Sequence, residues 1–585
     1  APFINKHTYK VSFMNIFQYF ESEFTNILAE LVGQSLLPEN LDASRVVFEL
    51  PRDAAHGDLA TNAAMILAKP AKKSPRDLAT VFAVEFEKID GVTGVEIAGP
   101  GFINVSVLPI LWAGQIDDIV KADAQYGRSQ IGAGAHLNVE FVSANPTGPL
   151  HAAHARGAVI GDAMASLMEF CGWNVTREYY VNDAGGQVDV LARSAYLRYC
   201  EALGQDIGDI PSGLYPGDYL KDVGKALAKK VDARYLDRPE AEWLDDLRNF
   251  SVESIMDVIK QDLIALGINM DVFSSERSLV QSGAVRHAIN QLQAAGHLYT
   301  GVLAPPKGKE PEDWEPREQL LFKASEFGDE TDRPLQKSDG SWTYFAADVA
   351  YHLQKLERTK GHLINIFGAD HGGYVKRMNA AVAALSGQEG MLDIKLCQLV
   401  NLLDKGKPVK MSKRAGTFVT VRDVIDAVGA DVIRFIMLTR RNDQTLDFDF
   451  AKVTEQSRDN PVFYVQYAHA RARSVLRQRE APDQADLALL TADAEISLLK
   501  QLASWPKMVE SAALAHEPHR IAFYLMDLAG HFHSLWNAGR EDPSLRFILE
   551  GDKTATNARL TLVKATSFVI RTGLNMLSIN ALDEM

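Results

Sequence analysis

Residues 137–171 read LNVEFVSANPTGPLHAAHARGAVIGDAMASLMEFC, and the fold is decided there. Over Leu137–Ser143 apolar and polar residues nearly alternate, which predicts a strand feeding a core. Ala144–Leu150 holds two prolines and a glycine, so neither a strand nor a helix period continues through it. From His151 the spacing becomes helical, with Val159, Ala163, Leu167 and Phe170 on one stripe. His151 and His154 then sit one turn apart at a helix start. Unpaired N–H groups and the positive end of the helix dipole suit phosphates at such a place, and two imidazoles add donors. Taken alone, a capped helix with two surface histidines explains the same residues.

A second stretch changes the balance. Lys410, Met411, Ser412 and Lys413 spell KMSK within the basic segment DKGKPVKMSKRAGT. PxGxxHxxH between a strand and a helix, followed far downstream by KMSK, resembles the paired signatures of class I aminoacyl-tRNA synthetases. The longer string ANPTGPLHAAHARGA is similar to the arginyl-tRNA synthetase form. Its usual third-position Gly is Ala153 here, and a methyl there should crowd adenine or force a small shift. Arg414 follows the second signature and is compatible with a loop facing phosphate.

The resemblance implies ATP-dependent ligation of L-arginine to tRNA(Arg) through an arginyl-adenylate, with Mg2+ accompanying ATP. It implies catalytic roles for His151, His154, Lys410 and Lys413. ATP contacts are implied for those four and for Pro146, Gly148, Gly368, Asp370, Met411 and Ser412. Arginine contacts are implied for Glu140, Asn145, Tyr344, Asp348 and His371. A guanidinium is planar and wants carboxylates in a fork. Tyr344 and Asp348 are four apart, so a helix would put them on one face. VNDAGGQ at Val181–Gln187 also matches the family, and suits either a structural turn or a ligand-side turn. For tRNA, Phe102 and Asn104 in PGFIN are implied to meet a loop base. Tyr464, Arg471 and Arg473, in a helix with Arg477, Arg479, Tyr467 and His469, interleave aromatics with cations as a single-stranded anticodon loop requires.

Composition agrees with such an enzyme. At 585 residues, about three or four domains are expected. A 46% hydrophobic, 23% charged chain is ordinary for a globular protein, and no run approaches the roughly 18 apolar residues of a membrane span. Net charge of −15 argues against indiscriminate coating of nucleic acid, not against local phosphate contacts. Cys171, Cys200 and Cys397 are scattered without a CxxC, so neither zinc nor disulfides are expected, and a reducing cytoplasm is.

The expected organisation is a leader or remnant at 1–13, an α+β tRNA-contacting unit at 14–127, and a Rossmann-type α/β parallel-sheet domain at 128–450. A mostly helical insertion at about 196–340 interrupts that domain, and an all-α anticodon-binding bundle fills 451–585. Strands are expected at Val46–Leu50, His362–Phe367 and Leu396–Leu403. Helices are expected at Leu59–Ala68, Asn460–Arg479, Ala494–Leu514, Pro518–Ala538 and Thr556–Leu577. A monomer without membrane attachment is expected. Three rivals stay open: a tRNA-binding paralogue that charges weakly or not at all, a class I synthetase of another specificity, and a nucleotidylyltransferase that uses HxxH without tRNA.

Overall fold

The computed structural model describes residues 15–51, 53, 56–303, 317–409, 419–455, 457 and 459–585. Residues 1–13, the KMSK residues 410–413 and most of the 305–317 excursion therefore lie outside the described residues.

The central sheet has five strands, all parallel. In spatial order they are Leu392–Cys397, His362–Gly368, His136–Glu140, Asn174–Val181 and Val272–Ser275. The chain lays down the last three outward from His136–Glu140, then returns to the other side for the remaining two. Strand order thus reverses between His136–Glu140 and His362–Gly368, and a crevice opens at their carboxyl ends. The Rossmann-type expectation holds.

The first strand ends at Glu140, not at Ser143. Val142 and Ser143 adopt left-handed backbone, at φ 69° and 41°. For a β-branched valine this is strained, on the order of 1–3 kcal/mol. The alternation read from Leu137 onward has an unexpected basis, because Asn138 and Glu140 are also buried. A parallel strand is covered on both faces, so its polar residues need internal partners: Glu178 for Asn138 and Lys355 for Glu140.

The helix after the signature starts at His154, one turn later than the spacing suggests, and runs to Phe170. His151–His154 is a turn closed by the His154 amide donating to the His151 carbonyl at 2.8 Å. The expected stripe is buried, yet so are Arg156 and Asp162 on other faces. Gly161 is required here, since a β-carbon would come within 2.2 Å of Phe141.

Two buried arginines tie this helix to distant chain. Arg156 donates to the carbonyls of Gln398, Arg441 and Gln444. Arg434 donates to Asp162 and to the carbonyls of Leu266 and Leu577.

Several element boundaries differ from expectation, each for a local reason. Leu59–Ala68 is a strand, Leu59–Thr61, followed by a helix, Ala63–Ala71. That strand belongs to a four-stranded antiparallel sheet, in the order Phe48–Glu49, Leu59–Thr61, Phe102–Val107, Val92–Ala98. Leu396–Leu403 splits in two. Leu392–Cys397 closes the parallel sheet, while Val400–Asp404 pairs with Lys407–Pro408 and Leu446–Asp449 in a separate small sheet. Ala494–Leu514 breaks into Asp493–Ala503 and Trp505–Ala515 because Pro506 fits only the first turn of a helix. The span 196–340 is not only helical: it contributes Val272–Ser275 to the central sheet and a three-stranded antiparallel sheet of its own.

Removing one partner of a buried ion pair costs about 3–5 kcal/mol, an exposed pair about 0–1. Arg434→Met should therefore lower the melting temperature clearly, whereas Lys88→Met, which breaks an exposed pair with Glu85, should barely move it. Equal melting curves for both variants would contradict the tie assigned to Arg434.

Candidate active site

The His151 and His154 rings stack at the mouth of the crevice, 3.8 Å between centroids. Ala153 takes the N-cap position at φ −64°, ψ −25°, an ordinary right-handed conformation, and supplies no side-chain cap. The extra methyl relative to glycine is thus tolerated by the backbone, and the first helical amides have no cap from residue 153. Leu150–Ala152 runs antiparallel to Val419–Val421. The Ala152 amide donates to the Val419 carbonyl at 2.9 Å, the Val421 amide to the Leu150 carbonyl at 2.7 Å, and His151 faces Thr420. The residues Val419–Val421, which follow the KMSK segment in sequence, are therefore bonded directly to the HxxH turn. Lys410 and Lys413 themselves lie outside the described residues.

Across the reversal point, the strand His362–Gly368 delivers Gly368 and then a short 3-10 turn, Ala369–Tyr374. Asp370 and His371 are both exposed there, 3.8 Å apart. On the near side, Asn145 is exposed and held from both ends: Asn182 donates to its Oδ1 at 3.1 Å and its Nδ2 donates to Gln187 at 3.0 Å. The VNDAGGQ stretch is thus a turn that braces a candidate ligand residue. Buried Pro146 and half-buried Gly148 lead into the turn. A cleft lined by Asn145, Thr147, Gly148, His154 and Tyr215 is closed on one side by Tyr219, whose hydroxyl donates to the Thr147 carbonyl at 2.7 Å.

Deeper in the crevice lies a group of carboxylates that the spacing did not reveal. Tyr344 and Asp348 share the helix Tyr344–Thr359, as expected; Tyr344 is 76% exposed and Asp348 is half-buried. Beside Asp348 stand Glu140 and Glu276, and burial together with those two charges raises its pKa well above the usual carboxylate value of 3.8, with Arg377 opposing. Glu276 is raised too, by burial first and Asp183 second, and among the described residues its buried Oε2 has no hydrogen-bond partner. Burial and then Glu276, Asp348, Glu140 and Asp183 push the Tyr180 phenol up, and among the described residues its hydroxyl has no partner either. Asp183 is satisfied by the Ser275 hydroxyl and the Arg277 amide. Among the described residues neither Asp348 nor Glu276 takes part in an ion pair. Buried carboxylates left so want a cation or a proton. Glu276, in SSERSL, carried no signal in the sequence beyond a helix start.

The other expected residues divide. Phe102 is 39% exposed while Asn104 is buried. Arg471 lies between the rings of Tyr467 and Trp536, at 4.3 and 4.5 Å from their centroids, and donates to the Tyr467 hydroxyl. Tyr464 joins this group through His533, ring centroids 4.7 Å apart. Arg473 does not join it: Asp583 holds Arg473, and the Asp583 carbonyl accepts from Arg477. His469 is buried and bonded to the Leu582 carbonyl. Side chains two residues apart leave a helix on different faces, so the expected cluster separates. Among the described residues no group of three or more His, Cys, Asp or Glu is placed to hold a metal ion.

Family models match in three places: an arginyl-tRNA synthetase N-terminal domain over residues 18–107, a class I (R) tRNA synthetase catalytic domain over 115–456, and a DALR anticodon-binding domain over 465–585. The chain is 55% identical to an arginine–tRNA ligase of Ruegeria sp. (strain TM1040) over 581 residues, 98% of this chain and 100% of that one. It is 54% identical to that of Paracoccus denitrificans, again over 98% and 100%. In fold it is similar to the Thermus thermophilus arginyl-tRNA synthetase, with TM-score 0.74 and 21% identity over 97% of this chain and all of that one. A Plasmodium falciparum arginyl-tRNA synthetase structure gives TM-score 0.69 at 14% identity, over 98% and 100%.

The raised carboxyl of Asp348 has a consequence for stability. A group whose folded pKa lies above its unfolded one stabilises the fold only at low pH, and that stability is lost as pH rises through the folded value. Asn mimics the protonated form. In the absence of ligand, Asp348→Asn should melt like the parent near pH 4 and progressively above it as pH rises. A melting difference that does not depend on pH would show that Asp348 is not held above its ordinary value.

Proposed function

Since the chain belongs to the class I arginyl-tRNA synthetases, we propose that its crevice takes ATP on the His151–His154 side and arginine on the Glu276–Asp348 side. The chain is an arginine–tRNA ligase, and what remains to assign is which residues do the work. The observation that carries the assignment is the pair of carboxylates, Glu276 buried and Asp348 half-buried, that take part in no ion pair among the described residues. A guanidinium supplies a full charge and five donors in a plane, enough to bridge both. Tyr344, Asn145 and His371 stand around the mouth, where the amino acid's own amine and carboxylate would lie. Glu140 contributes from the floor.

An arginine carboxylate oxygen attacks the α-phosphorus of ATP. A carbon-side O–P bond forms, the bond to the β-phosphate oxygen breaks, and pyrophosphate leaves with that electron pair. The chain's share is positioning and charge stabilisation. The stacked imidazoles and the first amides of His154–Phe170 face the phosphates, with Gly148 and Pro146 shaping the approach. Lys410 and Lys413, with Met411 and Ser412 between them, would reach the phosphates from the stretch that precedes Val419–Val421 in sequence. Gly368 and Asp370 flank the adenosine from the far strand. In the second step a hydroxyl of the terminal tRNA ribose attacks the activated carbonyl and AMP departs. Mg2+ would enter as the counter-ion of the triphosphate and is assigned no protein ligand.

For tRNA, Phe102 with Asn104 serves the loop-base contact, and Arg471 with Tyr464 the anticodon-loop contact. Arg473 would have to exchange Asp583 for phosphate. The chain acts as a monomer in the cytoplasm. A site built to neutralise two carboxylates rejects ligands without a matching cation by about 10⁴–10⁵ without editing.

Losing hydrogen bonds to a charged group costs about 1.5–3 kcal/mol each, roughly 10–100-fold. Asp348→Ala should accordingly raise KM for arginine by about that factor or more in a charging assay, with KM for ATP unchanged; unaltered arginine kinetics would remove Asp348 from the site. Lys413→Ala should slow adenylate formation by about 10²–10³ while the protein stays folded, and near-normal turnover would reject its role.

A further inference from the structure

Lys355 lies fully buried beneath the carboxylates, a position lysine almost never takes unless paired. Its ammonium donates to Glu140 Oε2 at 2.8 Å and to Asn365 Oδ1 at 2.7 Å. Because an ammonium has only donors, the Asn365 oxygen must face it, and the Asn365 amide nitrogen then faces His352 Nε2 at 2.9 Å. Nε2 must accept, so the His352 proton sits on Nδ1, where it donates to the Asp348 carbonyl at 2.8 Å. Burial, and Lys355 after it, drop the His352 pKa to about 3, which keeps this neutral form at working pH. Lys355 thus donates in two directions, directly to the Glu140 side chain and, through Asn365 and His352, toward the backbone carbonyl of Asp348. Glu140 and Asp348 are two of the residues of the proposed arginine site.

The charge count points the same way. Glu140 is faced by Lys355, by the Ser143 hydroxyl at 3.0 Å, and by Tyr180, Tyr351 and Asp348. Glu178 behind it is matched by Arg358 at 2.5 Å. Lys355 thus cancels Glu140 and leaves Glu276 and Asp348 for a ligand, with Arg377 in the background.

We infer that Lys355, Asn365 and His352 form a positioning device for arginine selection: Lys355 neutralises and orients Glu140, and the chain behind it fixes Asp348, so that one guanidinium fits the site. The inference rests on the arginine site proposed above. None of the three residues is asked to touch the reacting atoms. Without Lys355 a third uncompensated carboxylate would join the pocket and turn away from its present orientation.

Steady-state charging with the full chain and tRNA tests this. Lys355→Met should raise KM for arginine about 10–100-fold, the scale of a misplaced positioning group, with KM for ATP unchanged. Glu140→Gln should raise KM for arginine too, and the double variant E140Q/K355M should be no worse than E140Q alone, because Lys355 acts through Glu140. Additive effects, or equal shifts in both KM values, would mean that Lys355 is only structural and would overturn the inference. Should Lys355→Met fail to fold, Asn365→Ser carries the test: a higher arginine KM at unchanged ATP KM supports the chain, and a normal one refutes it. Asp348→Asn and Glu276→Gln separate the two levels. If both keep normal arginine KM, the site itself is misassigned and the inference goes with it. If both lose arginine while folded Lys355→Met does not, the site stands and only the positioning chain fails.

Discussion

Two carboxylates of the crevice, Glu276 buried and Asp348 half-buried, take part in no ion pair among the described residues, and the site is built around that constraint. Ionised, each would carry a desolvation penalty of several kcal/mol, and a fold selected only for stability would replace them with apolar residues. Here Asp348 and Glu276 are kept, their protons held more tightly than usual, in a crevice that exists because strand order reverses beside Glu140. In the proposed site a ligand bringing its own delocalised positive charge would resolve the tension, and specificity for arginine would follow from the cost of those two unmatched carboxylates.

The surrounding framework is rigid where that tension must be contained. Glu140, Glu178, Lys355, Arg358 and Asn365 satisfy one another under the sheet. Arg434 and Arg156 fasten the signature helix to backbone carbonyls from remote parts of the chain. Such contacts are costly to break and add little when simply present, so they specify geometry more than they add stability. The strained turn at Val142 and Ser143 belongs with them, since it brings the Ser143 hydroxyl back onto Glu140.

The phosphate side is organised differently. The groups proposed for it hang on loops and a helix start: the stacked histidines, the Asp370 turn, and residues Val419–Val421 bonded to the HxxH backbone. In the proposed assignment a triphosphate enters and pyrophosphate leaves on this side, so exposure suits it and burial suits the guanidinium.

Much of this was legible in the chain alone. Period and breakers marked the strand, the proline-rich turn and the helix around His151, and the paired signatures named the family before any coordinate. Tyr344 and Asp348 came from the resemblance, and their spacing of four added only that they share a helix. Boundaries slipped where a local rule competed with periodicity, as at Pro506, which split one expected helix, and at Val142, which ended a strand early. Glu276 and Lys355 were invisible, because a glutamate after a serine reads as a helix start and a lysine in a helix reads as solvated. Their roles depend on what is absent around them or on what lies across the sheet, and neither is written within a few residues of either one. The order of residues determined which chemistry was available and roughly where each element began. Only the tertiary structure decided which charges meet and which stay unmatched, because burial and pairing are properties of neighbours hundreds of residues apart.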